Sequence, residues 1–373
     1  MTWLIVGAGL SGSVLAERIA NINNEKVLII DKRAHIGGNT YDYIDNETKI
    51  LINKYGAHIF HTNNKDVWDY INKFCKWIRW EHKVLANVNN LLVPIPVNIE
   101  TVNKLLNLNI QDENEMNEWI ETNIIKYDNI NNSEELAKSR IGKELYELLI
   151  KHYTFKQWNK YPYELDKSVL ERLPIRNNND CRYFNDKYQA LPEKGYTFFF
   201  EKLLENPLIQ IKLNTCFFEF KKTNDLSKFT KIIYTGPIDM IFDDLPKLEY
   251  RSIDFDIKKL FDINYFQQNS VINYPLNDTN YTRIVEYKHF LNQQSKHSII
   301  VYETTNSNGE PYYPVPSKKN IDIYKLYQEK AIEYEEKFNY IFIGRMATYK
   351  YINMDEAIKL SLNRFKELLN LNK

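Results

Sequence analysis

Trp3-Leu4-Ile5-Val6-Gly7-Ala8-Gly9-Leu10-Ser11-Gly12 opens the chain, and Val27-Leu28-Ile29-Ile30-Asp31 follows one helix length later. Two apolar runs around a glycine turn read as strand, turn, helix and strand, with the helix continuing through Ile22. A dinucleotide fold needs Gly7 for the tight turn, Gly9 so that backbone can approach a pyrophosphate, and Gly12 for close helix packing. The phosphates then sit at a helix N-terminus, where unpaired N–H groups point at them. Asp31, about twenty positions after the glycines, fills the place of an acid that accepts ribose hydroxyls. Strand, glycines, helix, second strand and acid together predict a Rossmann-like α/β start that holds the ADP part of a dinucleotide.

The sequel Asp31-Lys32-Arg33-Ala34-His35-Ile36-Gly37-Gly38-Asn39 favours FAD over NAD. A basic cluster and a Gly-Gly pair soon after the ribose acid resemble the flavoprotein family that includes amine oxidases, desaturases and sugar mutases. In that family the Gly-Gly segment lies along the pyrophosphate and ribityl chain. Taken alone, Gly37-Gly38 is equally an ordinary turn.

The chain has 373 residues, which suggests two or three domains because a single core rarely grows past about 250 to 300 residues. Hydrophobic residues are 43% and charged residues 26%, the balance of a globular protein rather than a disordered one. Basic and acidic side chains number 49 each, so no net positive field exists to hold nucleic acid or an anionic membrane. Cys75, Cys181 and Cys216 form no CxxC pair, which argues against a zinc site or a disulfide framework and fits a reducing cytoplasm. The apolar start is too short for a signal peptide, and no later stretch approaches the roughly twenty apolar residues of a membrane span.

Helical spacing runs from about 99 to 152, through Val102, Leu105 and Leu106, then Met116, Trp119 and Ile120, then Leu145, Leu148 and Leu149. Ser133, followed by Glu134 and Glu135, is the expected cap of the last helix. Between 161 and 186 prolines, charges and the run Asn177 to Asp180 interrupt any period, which predicts a long mobile loop around a short helix. Strand alternation appears at 209–213, 253–257, 281–287 and 298–302. Tyr340-Ile341-Phe342-Ile343-Gly344 reads as a strand that rejoins the first sheet, before a helix from about Met354 to Leu369. The expected organisation is a discontinuous FAD-binding domain at 1–80, 190–240 and 335–373, and an inserted helical domain at 98–158. An antiparallel β-sheet substrate domain takes 81–97, 159–189 and 241–334.

Several blocks downstream resemble the UDP-galactopyranose mutase family, in order and along nearly the whole chain. They are Tyr55-Gly56-Ala57-His58-Ile59-Phe60-His61-Thr62, Tyr153-Thr154-Phe155-Lys156-Gln157-Trp158, Arg172-Leu173-Pro174-Ile175-Arg176 and Tyr183-Phe184-Asn185. Further on come Thr282-Arg283-Ile284, Glu310-Pro311-Tyr312-Tyr313-Pro314, and Gly344-Arg345 to Tyr351. The resemblance implies exchange of the pyranose and furanose forms of a UDP-sugar, with UDP-galactose as first choice. It also implies that reduced FAD attacks the anomeric carbon through N5 and carries the sugar as a covalent iminium while UDP is held. NAD(P)H is the implied candidate reductant, and a homodimer the implied assembly.

A diphosphate that gains negative charge as it departs calls for guanidinium groups, and Arg172 and Arg283 match the family's two arginines. Without the resemblance, each reads as a solvated surface charge. Uracil and sugar need flat apolar walls with hydroxyl handles. Tyr153, Thr154, Trp158, Tyr183, Tyr313 and Tyr351 match cleft positions, with Tyr312 beside them, although most of the 27 tyrosines must be structural. His58 falls where the family places a residue against the flavin. His61, three later, suits a metal pair, but no third ligand is near. Arg345 and the helix start at Met354 and Asp355 are expected to face the flavin, where a positive helix end favours its anionic reduced form. Lys32, Gly38 and Asn39 complete the expected cofactor contacts.

The chain departs from the family at Asn353, usually Asp, at Asn159 and Ala347, usually Gly, and at Leu149 and Ile150, usually aromatic. These changes leave the hexose open, with an N-acetylated UDP-hexose such as UDP-N-acetylgalactosamine as an alternative. A flavin oxidoreductase of the amine-oxidase or desaturase type shares the first forty residues and is the runner-up. An inactive binder of FAD or UDP-sugar is the third reading.

Overall fold

A computed structural model describes residues 2–171 and 174–371. Thr2–Val6 forms the centre of a five-stranded, wholly parallel sheet in the order Ile209–Lys212, Lys26–Ile30, Thr2–Val6, Ile232–Tyr234 and Tyr340–Phe342. Buried on both faces, such strands read as continuous apolar runs, and Leu4, Ile5, Ile29 and Ile30 have no exposed surface. The N-terminal α-helix runs from Leu10 to Arg18 and continues as a π turn over Ile19–Asn23. It packs against the C-terminal helix, Met354–Leu371, so that both ends of the sequence build one Rossmann-like unit.

A seven-stranded sheet runs in the order Tyr313–Pro314, Tyr250–Leu260, Ser298–Asn306, Arg283–Glu286, Val271–Asn273, Val84–Val88 and Leu91–Ile95. It is mixed rather than antiparallel, because Val271–Asn273 and Val84–Val88 run parallel. Those two strands come from distant parts of the chain, so no hairpin fixes their relative direction. The strand expected at 281–287 is confined to Arg283–Glu286, and the chain turns into a 3-10 segment at Tyr287–Asn292.

Helices at Ile99–Leu106, Glu113–Asn123 and Ser133–Leu145 share a core of Val102, Met116, Ile141 and Leu145, onto which the first strands of the mixed sheet also pack. Asn132, not Ser133, caps the third helix: its side chain accepts from the Glu135 N–H at 2.9 Å. Ser133 is the first helical residue, and its hydroxyl donates to the Asp166 carbonyl at 2.7 Å. A π turn at Tyr146–Lys151 leads into the short helix His152–Trp158. The following segment contains a 3-10 turn, Pro162–Glu164, and the helix Ser168–Glu171, and it buries Leu165 and Leu170.

Candidate active site

A cleft of about 290 Å³ lies at the C-terminal ends of the parallel strands, bordered by Val6, Ile30 and Tyr234. This is where an open α/β sheet binds its ligand. Of the expected cofactor residues, Gly7, Gly9, Asp31, Lys32, Gly38, Asn39, His58, Arg345 and Met354 line it. Gly12 does not; a Cβ there would stand 2.1 Å from the Gly7 carbonyl oxygen, so its role is packing. Asp355 does not line the cleft either, and its carboxylate accepts from the Thr62 hydroxyl at 2.8 Å.

The floor is bare backbone. Gly38 has φ +55°, and a Cβ on it would lie 2.9 Å from Gly9 Cα, so the two glycine segments touch in a way that side chains would forbid. Asp31 accepts from the N–H of Ala8 and of Arg33, each at 2.8 Å, which fixes its carboxylate beside the glycine turn. An ionised carboxylate has about four acceptor positions, so room is left for a diol.

One wall comes from the far end of the chain. Glu310 pairs with Lys32 at 2.8 Å and with Arg33 at 2.7 Å, while Arg33 also donates to Asn39 at 2.9 Å and lies 4.2 Å over the Tyr55 ring. Burial pushes the Glu310 carboxyl up, but Lys32 and Arg33 outweigh it and hold the group at about 2. Sequence reasoning placed Lys32 in the site and overlooked Arg33, Tyr55 and Glu310. The signal was present in the basic cluster and in the two quoted blocks that contain Tyr55 and Glu310.

His58 sits where the cofactor cleft meets the aromatic region. Its Nδ1 is 2.8 Å from the Gly56 carbonyl oxygen, so that nitrogen carries the proton and Nε2 keeps a lone pair. Burial, reinforced by the nearby cations Arg345 and Arg283, draws its pKa down to about 4. His58 is therefore neutral at pH 7. His61 is engaged elsewhere, with Asp186 at 2.8 Å and Phe184 at 3.7 Å between ring centroids. Among the described residues, no group of three His, Cys, Asp or Glu could hold a metal ion.

Arg345 donates to the Ile352 carbonyl at 2.6 Å and lies 4.8 Å from the Tyr351 ring centre and 5.3 Å from that of Tyr313. Those rings stack at 5.4 Å, and Trp158 presents itself edgewise at 6.4 Å to each. A guanidinium over two aromatic faces is attracted by the ring quadrupoles. Arg283 Nε donates at 2.7 Å to Glu303, a residue only 1% exposed. Burial would drive the Arg283 proton off, and the Glu303 carboxylate more than compensates, so the group stays cationic. Tyr153 faces Arg283, Tyr183, Glu303 and Tyr313, and burial pushes its phenol well up, so it remains a neutral donor. Glu303 was missed in the sequence, since an acid in a strand carries no signal until its cross-strand neighbour is known.

Thr154 is buried at 3% exposure inside its helix, and Tyr312 lies against Tyr55 and Phe255 rather than in the Tyr313 and Tyr351 stack. Asn353 lines the cofactor cleft. Arg172 lies outside the described residues. Leu149, where the family usually has an aromatic residue, is 4% exposed within the core of the helical region. Asn159 caps its helix at φ 53°, a left-handed conformation that Asn shares with Gly, so the backbone turn is kept. The three cysteines are free, and among the described residues no helix is long and apolar enough to cross a membrane.

The pattern of the UDP-galactopyranose mutase family matches residues 148–351, and that of an NAD(P)-binding Rossmann-like domain matches 5–74. A UDP-galactopyranose mutase of Mycoplasma genitalium is 36% identical, over 98% of this chain and 94% of that protein. A dTDP-fucopyranose mutase of Escherichia coli is also 36% identical, over 95% of each chain. A crystal structure of reduced UDP-galactopyranose mutase superposes with a TM-score of 0.77 at 15% identity, covering 99% of this chain and 96% of that one.

Proposed function

The chain belongs to the UDP-galactopyranose mutase family, and from that premise we propose that it interconverts the pyranose and furanose forms of UDP-galactose with FAD kept reduced. The observation that carries this reading is the joining of two regions. A glycine-floored cleft meets, at His58 and Arg345, a cluster of polar and aromatic side chains that contains Tyr153, Trp158, Arg283, Tyr313 and Tyr351.

The residues present fit FAD. Gly9 and Gly38 leave the space for a pyrophosphate, Asp31 is placed for the ribose, and Lys32, Arg33 and Glu310 close over that end. When bound and reduced, FAD supplies a nucleophilic N5 for the anomeric carbon. The protein's tasks are positioning and charge control. Arg283, with Arg172, takes up the diphosphate charge as the glycosidic bond weakens, in a site where burial strengthens each interaction. Tyr153, Tyr183 and Trp158 hold the base and sugar, and neutral His58 offers an acceptor rather than a second positive charge. NAD(P)H serves as reductant, and the protein works as a homodimer.

A second reading is favoured by the equal identity to the dTDP-fucopyranose mutase and by Asn353: a 6-deoxy or otherwise altered hexose on a related nucleotide. The test is to purify the protein, record its flavin spectrum, and reduce it. It is then incubated separately with UDP-galactose, UDP-N-acetylgalactosamine, UDP-glucose and dTDP-fucose, and the ring forms are resolved by chromatography. Furanose product from UDP-galactose alone supports the first reading. Preference for dTDP-fucose supports the second, and no interconversion of any sugar by fully reduced protein removes both.

A further inference from the structure

The helix that carries Tyr153 and Trp158 also carries Lys156, a residue with no assigned role. Its ammonium reaches out of the helix to the hairpin between Val271–Asn273 and Arg283–Glu286, where it donates to the carbonyls of Tyr274 at 2.5 Å and Tyr281 at 3.0 Å and to the Thr279 hydroxyl at 3.3 Å. Tyr281 is two residues before Arg283. Thr282, between them, donates through both its N–H and its hydroxyl to the Glu303 carbonyl, at 2.8 and 3.0 Å. The same helix is held at its C-terminal end by two other strands of the mixed sheet, and the Thr305 hydroxyl on one of them donates to the Lys156 carbonyl. Arg251, 5% exposed, donates to the Gln157 carbonyl at 3.0 Å and to that of Lys156 at 3.4 Å.

On the reading of the Tyr153, Trp158 and Arg283 cluster as a nucleotide-sugar site, we propose that Lys156 is a positioning residue that sets the gap between the Tyr153 and Trp158 helix and Arg283. A single ammonium with three oxygen partners spans the helix that carries Tyr153 and Trp158 and the hairpin that carries Arg283. Among the described residues, the hydrogen bonds between that helix and that hairpin come from Lys156, while Arg251 and Thr305 tie the helix to the neighbouring strands. A guanidinium and an aromatic wall act together on one ligand only if their spacing is held to a fraction of an ångström. Nature keeps the cation there at some cost: burial draws the Lys156 pKa down to about 8, and Asp278 on the same hairpin is the acid that offsets it.

The test compares wild-type holoenzyme with Lys156→Met, Lys156→Arg and Thr279→Ala. UDP affinity is measured by calorimetry on the oxidised form, KM and kcat for UDP-galactose on the reduced form, and FAD content and Tm alongside. The expected result for Lys156→Met is a rise of about tenfold or more in both the UDP Kd and KM. Its kcat stays within about threefold of wild type and its FAD content is unchanged. Lys156→Arg recovers part of the loss, since it restores a cation with several donors. Thr279→Ala, which removes one partner and leaves the charge, gives a smaller rise of the same kind. UDP binding by Lys156→Met equal to wild type overturns the proposal. So does a loss of Kd, kcat, FAD and Tm together, with no rescue by Lys156→Arg and no effect of Thr279→Ala, which marks a purely structural staple. Absence of UDP binding in wild type itself overturns the underlying reading of the cluster, and this inference with it.

Discussion

Arg283 and Glu303 are direct cross-strand partners in the mixed sheet, joined by a 2.7 Å ion pair that uses Glu303 Oε2, while Glu303 Oε1 is buried with no hydrogen-bond partner. The pair occupies only the Nε edge of the guanidinium. Among the described residues, no further hydrogen bond engages its terminal nitrogens, which leaves them for a ligand. Removing Glu303 therefore frees Arg283 to swing and leaves a partly buried cation uncompensated. Glu303→Ala should lose up to about 3 kcal/mol of stability, discounted from a fully buried pair because Arg283 is 27% exposed. The cost is read from urea denaturation, and a value near zero would show that the pair is not under load. UDP affinity should fall in the same variant.

Arg283→Ala should depress turnover by about a hundredfold to a thousandfold, the usual cost of losing one preorganised charge donor. FAD should stay bound, because Arg283 does not line the cofactor cleft. Arg283→Lys should recover little, as an ammonium cannot hold both Glu303 and a diphosphate in one plane. Steady-state kinetics with the flavin spectrum as a loading control decide the matter. Near-normal turnover in the alanine variant would remove Arg283 from the mechanism.

Glu310, itself 40% exposed, closes the Lys32 and Arg33 end of the cleft through one exposed partner, Lys32 at 59%, and one mostly buried one, Arg33 at 15%, so the pairs are only partly screened and individually modest. Glu310→Gln should raise the rate of FAD release about two- to fivefold, followed by the gain in flavin fluorescence. Because its pKa is held near 2, the contribution of Glu310 is constant from neutral pH down to about 4.5 and is lost as pH falls further towards 2. Wild-type release that accelerates already between pH 7 and 5 would point to another group.

His58 and His82 give the stability of the fold a different acid dependence. His82, 6% exposed, accepts from the Trp80 indole at 3.4 Å, and burial lowers its pKa to about 3. Both rings are neutral when folded and take a proton near pH 6.5 when unfolded. The unfolded state thus binds more protons below pH 6.5, and stability falls as pH falls through that window. The expected loss is about 1 kcal/mol per histidine between pH 6.5 and 5.5. Denaturation of His82→Gln at the two pH values should show a difference about 1 kcal/mol smaller than wild type, and an unchanged difference would assign it to other groups.

What could be read in the sequence was whatever is written locally. The glycine turn and Asp31 need only neighbours within about thirty residues, so the βαβ start and its glycine-floored cleft were legible from the first line, whereas the parallel partners Ile209–Lys212 and Ile232–Tyr234 were not. The cap at Asn132 was not, because Asn132 and Ser133 are equally good caps and only the backbone angle at Asn132 separates them. The parallel pairing of Val271–Asn273 with Val84–Val88 joins strands far apart in the chain and has no local signature. The same limit governs the site. Tyrosine and arginine blocks were visible as residue types, but Glu310 meets Arg33 across 277 positions, and neither residue announces the other.

Asn353 offers a test of how the cleft tunes its flavin. Its carbonyl accepts from the Ala357 N–H at 3.0 Å, which makes it the residue at the N-terminal end of the helix Met354–Leu371, and it lines the cleft beside Arg345. Asn and Asp cap a helix about equally well, so Asn353→Asp should keep the fold. The aspartate adds a negative charge where the helix end and Arg345 would otherwise favour an anionic reduced flavin. At about 0.5 to 1 kcal/mol for one partly exposed charge, the two-electron potential should fall by about 10 to 20 mV. Spectroelectrochemical titration of the two forms measures this shift directly. A potential that stays constant or rises would mean that Asn353 faces away from the isoalloxazine, and the departure at this position would then bear on the sugar alone.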